Sequence, residues 1–176
     1  VKDFIDREVW PHKDRFEKKD YDFTKSLMQK AGELGFLGVS VPEEYGGMGM
    51  GFVSSMLVCD YISGSTGSLS TAFGAHTGIG TLPVVLYGTE EQKALYLSKL
   101  ISGNWSGTMC LTEAHCGTDL AQMKSSAVED EDDGYRLNGT KIYISAGEHD
   151  LTENIVHIVL AKLPDAPSGT KGISLF

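Results

Sequence analysis

The sequence predicts an α+β protein, an N-terminal all-α helical bundle followed by an incomplete antiparallel β-barrel or sandwich. Three observations carry that expectation. Over residues 1–104 apolar side chains recur at helical spacing, and no linker interrupts them. From Trp105 onward they fall into short runs divided by turn residues. Runs of one element type followed by runs of the other indicate separate α and β units, not a parallel α/β sheet. Residues 1–104 are therefore expected to form a helical domain and 105–176 the first part of a β-domain.

Taken in order, Phe4, Ile5, Val9 and Trp10 give residues 1–10 a loose helical rhythm that Pro11 is expected to end. Asp22 is the expected N-cap of the next helix, whose positions Leu27, Met28, Ala31 and Leu34 keep a helical period, with Gly35 as its stop. Gly46, Gly47, Gly49 and Gly51 then form a glycine loop. Its spacing is not that of a dinucleotide fingerprint and no Lys-Ser/Thr follows, so a flexible connector is expected instead of a phosphate cradle. Residues 52–64 read as a helix with Phe52, Met56, Cys59 and Tyr61 on one face. Residues 66–81 alternate small and large side chains, a glycine load that weakens an isolated helix. Either this helix packs closely on a neighbour or it leaves room for a slender chain beside it. Thr89 to Gln92 is a capping-box start, opening a helix with Leu95, Tyr96, Leu100 and Ile101 on its face and Gly103 as its stop.

The expected strands are Ser106–Leu111, Ser126–Val128, Tyr135–Leu137, Lys141–Ile144 and Ile155–Ala161. Asn138-Gly139 is a strong hairpin dipeptide and is expected to pair Tyr135–Leu137 with Lys141–Ile144. The acid run Glu129–Asp133 reads as a solvated hairpin tip.

Acidic residues outnumber basic ones 24 to 15, which argues against nucleic acid, whose phosphates need a basic face, and disfavours an anionic membrane surface. By strict run length no apolar stretch approaches a membrane span, and no signal peptide opens the chain. Cys59, Cys110 and Cys116 lack a disulfide-scaffold spacing, so reduced thiols and a cytoplasmic location are expected. Cys110, His115, Cys116 and His149 match no tetrahedral zinc spacing, and no metal is expected. Cys116 has no base partner in the sequence that would make it a nucleophile.

Two stretches share one design. Met109 to Asp119 and Asn138 to Gly147 are each an apolar strand ending in small hydroxyls and glycine. Glycine lets backbone approach a ligand and leaves amide N–H groups free. Thr112, Thr118 and Ser145 can both donate and accept, which suits a flat, heteroatom-edged ring with a phosphate tail.

Thr112-Glu-Ala-His-Cys-Gly-Thr-Asp119 resembles the Thr-Glu-Pro-x-Ala-Gly-Ser-Asp signature of the acyl-CoA dehydrogenases. Gly134 to Gly147 resembles that family's Tyr-x-Leu-Asn-Gly-x-Lys-x-Trp-Ile-Thr-Asn-Gly block, and Gly32 to Gly49 its N-terminal block. The likeness covers essentially the whole chain. Ala114 replaces the signature proline, Tyr143 the tryptophan and Ala146 the asparagine. These variants, with the insertion at 148–154, look most like a bacterial branch that includes 3-(methylthio)propionyl-CoA dehydrogenase.

The resemblance implies FAD as cofactor and an acyl-CoA as substrate, oxidised to the 2,3-enoyl-CoA by α-proton abstraction and β-hydride transfer. It implies that Met109, Leu111 and Thr112 face the isoalloxazine from one side and Tyr143, Ile144 and Ser145 from the other. Gly117 and Thr118 are implied at the pyrophosphate, with Thr118 also near the pantetheine, and Phe73, His76 and Thr77 at the acyl chain. Electron-transfer flavoprotein is the implied acceptor and a homo-oligomer the implied assembly. The family's catalytic base is a glutamate on a C-terminal helical domain. No glutamate here, Glu113 included, matches it, and the chain ends in Gly172–Phe176, which reads as mid-strand. A fragment without that domain is expected, inactive by itself and weak in holding FAD. A flavin monooxygenase or oxidase of the same architecture, or a binding module that lost the chemistry, are the alternatives.

Overall fold

The computed structural model describes residues 1–131 and 134–176. Asp132 and Asp133, part of the acid run, lie outside the described residues. Helix α1 (Lys2–Phe4) runs on through a π turn (Ile5–Val9) and a 3-10 turn (Trp10–His12) into α2 (Lys13–Glu17). Pro11 does not end the run. It sits in the first positions of a new turn, where its missing N–H is no loss.

Helix α3 (Tyr21–Glu33) is capped by Asp20 and not by Asp22. The Asp20 carboxylate accepts from the Phe23 N–H at 3.0 Å and from Arg15 at 2.7 Å, so an earlier acid with a second partner takes the cap. Gly35, at φ 78°, supplies the left-handed stop that its position predicts. The glycine loop departs from expectation. The N–H groups of Met48, Gly49 and Met50 donate to Gly38, Val41 and Val39, and a Cβ on Gly47 would lie 2.1 Å from the Val41 oxygen. These amides are used within the fold, which makes the loop a tight packing element.

Helix α4 (Phe52–Ser63) buries Val58 and Ile62 into a core with Phe23, Leu27, Leu69 and Phe73, while Phe52, Met56 and Tyr61 stay exposed. The apolar face read from the sequence is therefore largely an outward one. Helix α5 (Gly67–Gly74), a π segment (Ala75–Thr81) and α6 (Leu82–Tyr87) form one continuous helix. At 21 residues and mean hydropathy 1.2 over its best window, Gly67–Tyr87 is long and apolar enough to cross a membrane by length and composition. Counting strict apolar runs hid this, because glycine, serine, threonine and histidine interrupt the run. Its glycines meet different surroundings, and Gly80 bears out the close-packing reading. A Cβ on Gly80 would lie 2.2 Å from the Gly107 carbonyl carbon, a close backbone approach, whereas Gly74 and Gly78 have nothing within 4 Å.

Helix α7 (Glu90–Ile101) opens with both reciprocal bonds of the capping box between Thr89 and Gln92. It buries Leu97 and Leu100, and Leu95 is exposed. Strands β1 (Trp105–Cys110), β2 (Ser126–Glu129), β3 (Tyr135–Asn138), β4 (Asn154–Lys162) and β5 (Ile173–Leu175) complete the α+β chain. Their order is β1-β4-β2-β3, with β5 also on β4.

The sheet is mixed and open, not an antiparallel barrel. β4 runs parallel to β1 and to β2, antiparallel to β5, and β2 runs antiparallel to β3. Parallel pairing of β1 with β4 is possible because a long connection separates them. The antiparallel partner of β3 is β2, with Ser126 opposite Asn138 and Glu129 opposite Tyr135. Asn138-Gly139 makes no hairpin turn, and 141–144 is no strand, since Gly139 sits at φ 153° and Tyr143 at φ 55°.

The Gly80–Gly107 contact has no room for a methyl group. Gly80→Ala should lower stability by about 1–3 kcal/mol, despite a helix-propensity gain of roughly 1 kcal/mol. A urea unfolding midpoint at or above wild type would contradict this.

Candidate functional site

Strand β1 and the turn after it form one wall of the site. Thr112 follows β1, and Glu113 and Cys116 close a tight turn by exchanging backbone bonds of 2.8 and 3.1 Å. The chain thus doubles back, and a Cβ on Gly117 would meet the Thr112 methyl at 3.3 Å. Met109 and Leu111 are half-buried, packed on Cys116, Met123 and Leu160, and Thr118 is exposed.

The second wall is residues 142–145. The Ile142 N–H donates to the Thr112 carbonyl at 2.9 Å, and the Thr108 hydroxyl donates to the Ser145 carbonyl at 2.6 Å. As numbers rise on one side they fall on the other, so the segment lies antiparallel beside the β1 wall. The two stretches singled out from the sequence are therefore neighbours in space. Ser145 is held by its backbone, leaving its side chain exposed. Tyr143 is 90% exposed, and both it and Ala146 sit at φ 55°, a conformation non-glycine residues rarely adopt. Ile144 is half-buried.

Glu113 is the residue whose importance the sequence conceals. Its carboxylate, 4% exposed, accepts from the Lys124 and Ser125 N–H groups, each at 2.9 Å, and from Lys141 Nζ at 3.0 Å. Burial pushes its pKa up. The adjacent Ser125 hydroxyl, the two backbone N–H bonds and the Lys141 bond outweigh that and hold it at about 2. The Ser125 hydroxyl faces the carboxylate without a bond of good geometry. Lys141 Nζ also donates to the Leu111 carbonyl at 3.2 Å. No spacing rule connects Glu113 with Lys141, so only folding brings them together.

Among the described residues, Glu113, His115 and Cys116 offer donor atoms within 4.8 Å of one another. Cys110 and His149 are outside that group. The Glu113 oxygens are already bonded as above, and His115 Nε2 lies 3.1 Å from the Gln122 carbonyl.

An apolar groove of about 260 Å³ lies between α4 and the Gly67–Tyr87 helix, lined by Phe73, Thr77, Gly78, Cys59 and Met56 among others. His76, one residue away, does not line it. Its ring is 2% exposed, Nδ1 accepts from the Gly107 N–H at 3.1 Å, and Nε2 donates to the Leu100 carbonyl at 3.0 Å. Desolvation, against the Leu100 bond, lowers its pKa to about 4. Thr77 donates to the Phe73 carbonyl at 2.8 Å.

A family model for the acyl-CoA dehydrogenase N-terminal domain matches residues 1–104. The chain belongs to the acyl-CoA dehydrogenase family. Within the acyl-CoA dehydrogenases it is 45% identical over 149 residues to 3-methylmercaptopropionyl-CoA dehydrogenase of Ruegeria pomeroyi, covering 82% of this chain and 24% of that protein. It is 36% identical to a Bacillus subtilis acyl-CoA dehydrogenase over 100% of this chain and 45% of the relative. The crystal structure of a Bacillus anthracis acyl-CoA dehydrogenase complexed with FAD aligns with a TM-score of 0.81 at 41% identity, covering 92% of this chain and 27% of that one. The chain spans less than half the length of these acyl-CoA dehydrogenases.

His76 makes stability depend on pH in a definite direction. The unfolded histidine protonates near 6.5 and the folded one near 4, so stability falls as pH drops from 6.5 to 4. His76→Gln, which can still accept from Gly107 and donate to Leu100, should flatten the thermal midpoint over that window. An unchanged slope would assign it to other groups.

Proposed function

We propose that this chain is the flavin-edge and acyl-groove portion of a FAD-dependent acyl-CoA dehydrogenase, an enzyme that converts an acyl-CoA thioester to its 2,3-enoyl-CoA. The observation that carries the reading is the pair of bonds joining Thr112 to Ile142 and Thr108 to Ser145. They set two small-hydroxyl walls side by side, with an exposed aromatic held in a strained conformation between Ile142 and Ser145. This donor set fits FAD. FAD, when bound, supplies the acceptor for the substrate's β-hydrogen as hydride.

In this reading Met109, Leu111 and Thr112, with Tyr143, Ile144 and Ser145 bonded beside them, form one continuous edge for the ring and do not enclose it from two sides. The Ser145 hydroxyl donates where charge gathers on the reduced ring, an interaction that strengthens as the reaction proceeds. Gly117 and Thr118 hold the pyrophosphate, and Thr118 also meets the pantetheine. Phe73 and Thr77 line the groove for the acyl chain, with His76 behind it as the anchor of its helix.

Glu113 is unsuited to abstract the α-proton, because a carboxylate held near pKa 2 is a weak base at neutral pH. The base is therefore proposed to lie outside these 176 residues, and this chain alone to be inactive. Electron-transfer flavoprotein as acceptor, assembly into a homo-oligomer and a cytoplasmic location belong to the same proposal.

Anaerobic mixing of the full-length protein with acyl-CoAs from short to long chain should bleach its flavin absorbance. The 176-residue chain by itself should show no bleaching. Ser145→Ala should slow the bleaching by about one to two orders of magnitude. A full-length protein that purifies without flavin, or whose flavin no acyl-CoA reduces, would overturn the reading.

A further inference from the structure

We propose that Lys141 and Glu113 are positioning residues for the flavin edge, a buried pair that fixes how its two adjacent walls lie against each other. The inference rests on the flavin reading above and adds to it two residues that reading does not use.

Lys141 opens the segment that carries Tyr143 and Ser145, while its Nζ reaches across to the opposite wall. There it donates to the Leu111 carbonyl, immediately before Thr112, at 3.2 Å and to Glu113 at 3.0 Å. The two side chains are 10% and 4% exposed, so the contact is removed from water, where such pairs are screened least. Glu113 is itself fixed by the Lys124 and Ser125 N–H groups, which makes it a firm anchor.

The segment that Lys141 holds needs such an anchor. Residues 141–145 belong to no strand, and Tyr143 and Ala146 lie in the left-handed region at φ 55°. Without a ladder of backbone bonds, their placement depends on a few tethers. Two are the Ile142 and Thr108 bonds, and Lys141 is the charged one. Removing the ammonium leaves the Glu113 charge buried without its counter-ion and the Leu111 carbonyl without this donor, and frees the second wall to move.

The test is FAD titration of the full-length apoprotein, followed by flavin fluorescence and the visible flavin spectrum. Wild type is compared with Lys141→Met and with Leu27→Ala, a control that loosens the helical core, where Leu27 is 2% exposed. Lys141→Met should weaken FAD binding more than fivefold and shift the visible band. Leu27→Ala should lose thermal stability yet bind FAD within fivefold of wild type with an unshifted band. If Lys141→Met does not fold, the Glu113→Gln/Lys141→Met double variant, which leaves neither charge alone, is held to the same thresholds. Affinity within fivefold of wild type and an unshifted band overturn the positioning role while leaving the flavin reading standing, as does an equal loss in the Leu27→Ala control. A wild-type protein that binds no FAD overturns the flavin reading, and this inference with it.

Discussion

The helical and β portions are joined by a backbone-to-backbone contact at Gly80 and Gly107, and the position of β1 depends on it. A Cβ on either glycine would lie under 3.0 Å from the other residue's backbone. His76 sits one turn before Gly80 and bonds both Gly107 and Leu100, so one buried ring links helix α7, strand β1 and its own helix. Close van der Waals contact supplies the proximity, and the neutral imidazole supplies the direction. Thr81 donates its hydroxyl back to the His76 carbonyl at 2.8 Å, a further tether inside the π segment.

From that junction β1 runs straight into the candidate site. Thr108 and Met109 are in the strand, and Thr112 lies just past its end. The same helix turns its other side toward the apolar groove through Phe73, Thr77 and Gly78. One element thus faces the sheet with its tightest residues and the groove with its most open ones. The groove and the two hydroxyl-bearing walls are arranged around opposite sides of a common support.

The buried carboxylate in the turn after β1 acts at a second level. Glu113 gathers the 124–125 backbone and Lys141 around one point, so three separated pieces of chain converge there. Its folded pKa lies below its ordinary value of 4.5, and the stability it contributes is present above that pH and lost toward about 2. His76 loses its contribution at higher pH, between 6.5 and 4. Acid therefore loosens the helix–strand junction before it loosens the turn.

Signals that act within a few residues were legible in the sequence. The Thr89–Gln92 capping box, the Gly35 stop, the change from helical to strand period near Trp105, and the two glycine- and hydroxyl-tipped stretches are all local in origin. Where two local signals competed, tertiary context chose between them, as with Asp20 over Asp22 and the outward face of Phe52, Met56 and Tyr61. The partner of β3, the parallel alignment of β1 with β4, the left-handed Tyr143 and the Glu113–Lys141 pair were decided only on folding. Each joins residues far apart in the chain or holds a backbone conformation against its own preference, and energies of that kind exist only once distant segments are in contact.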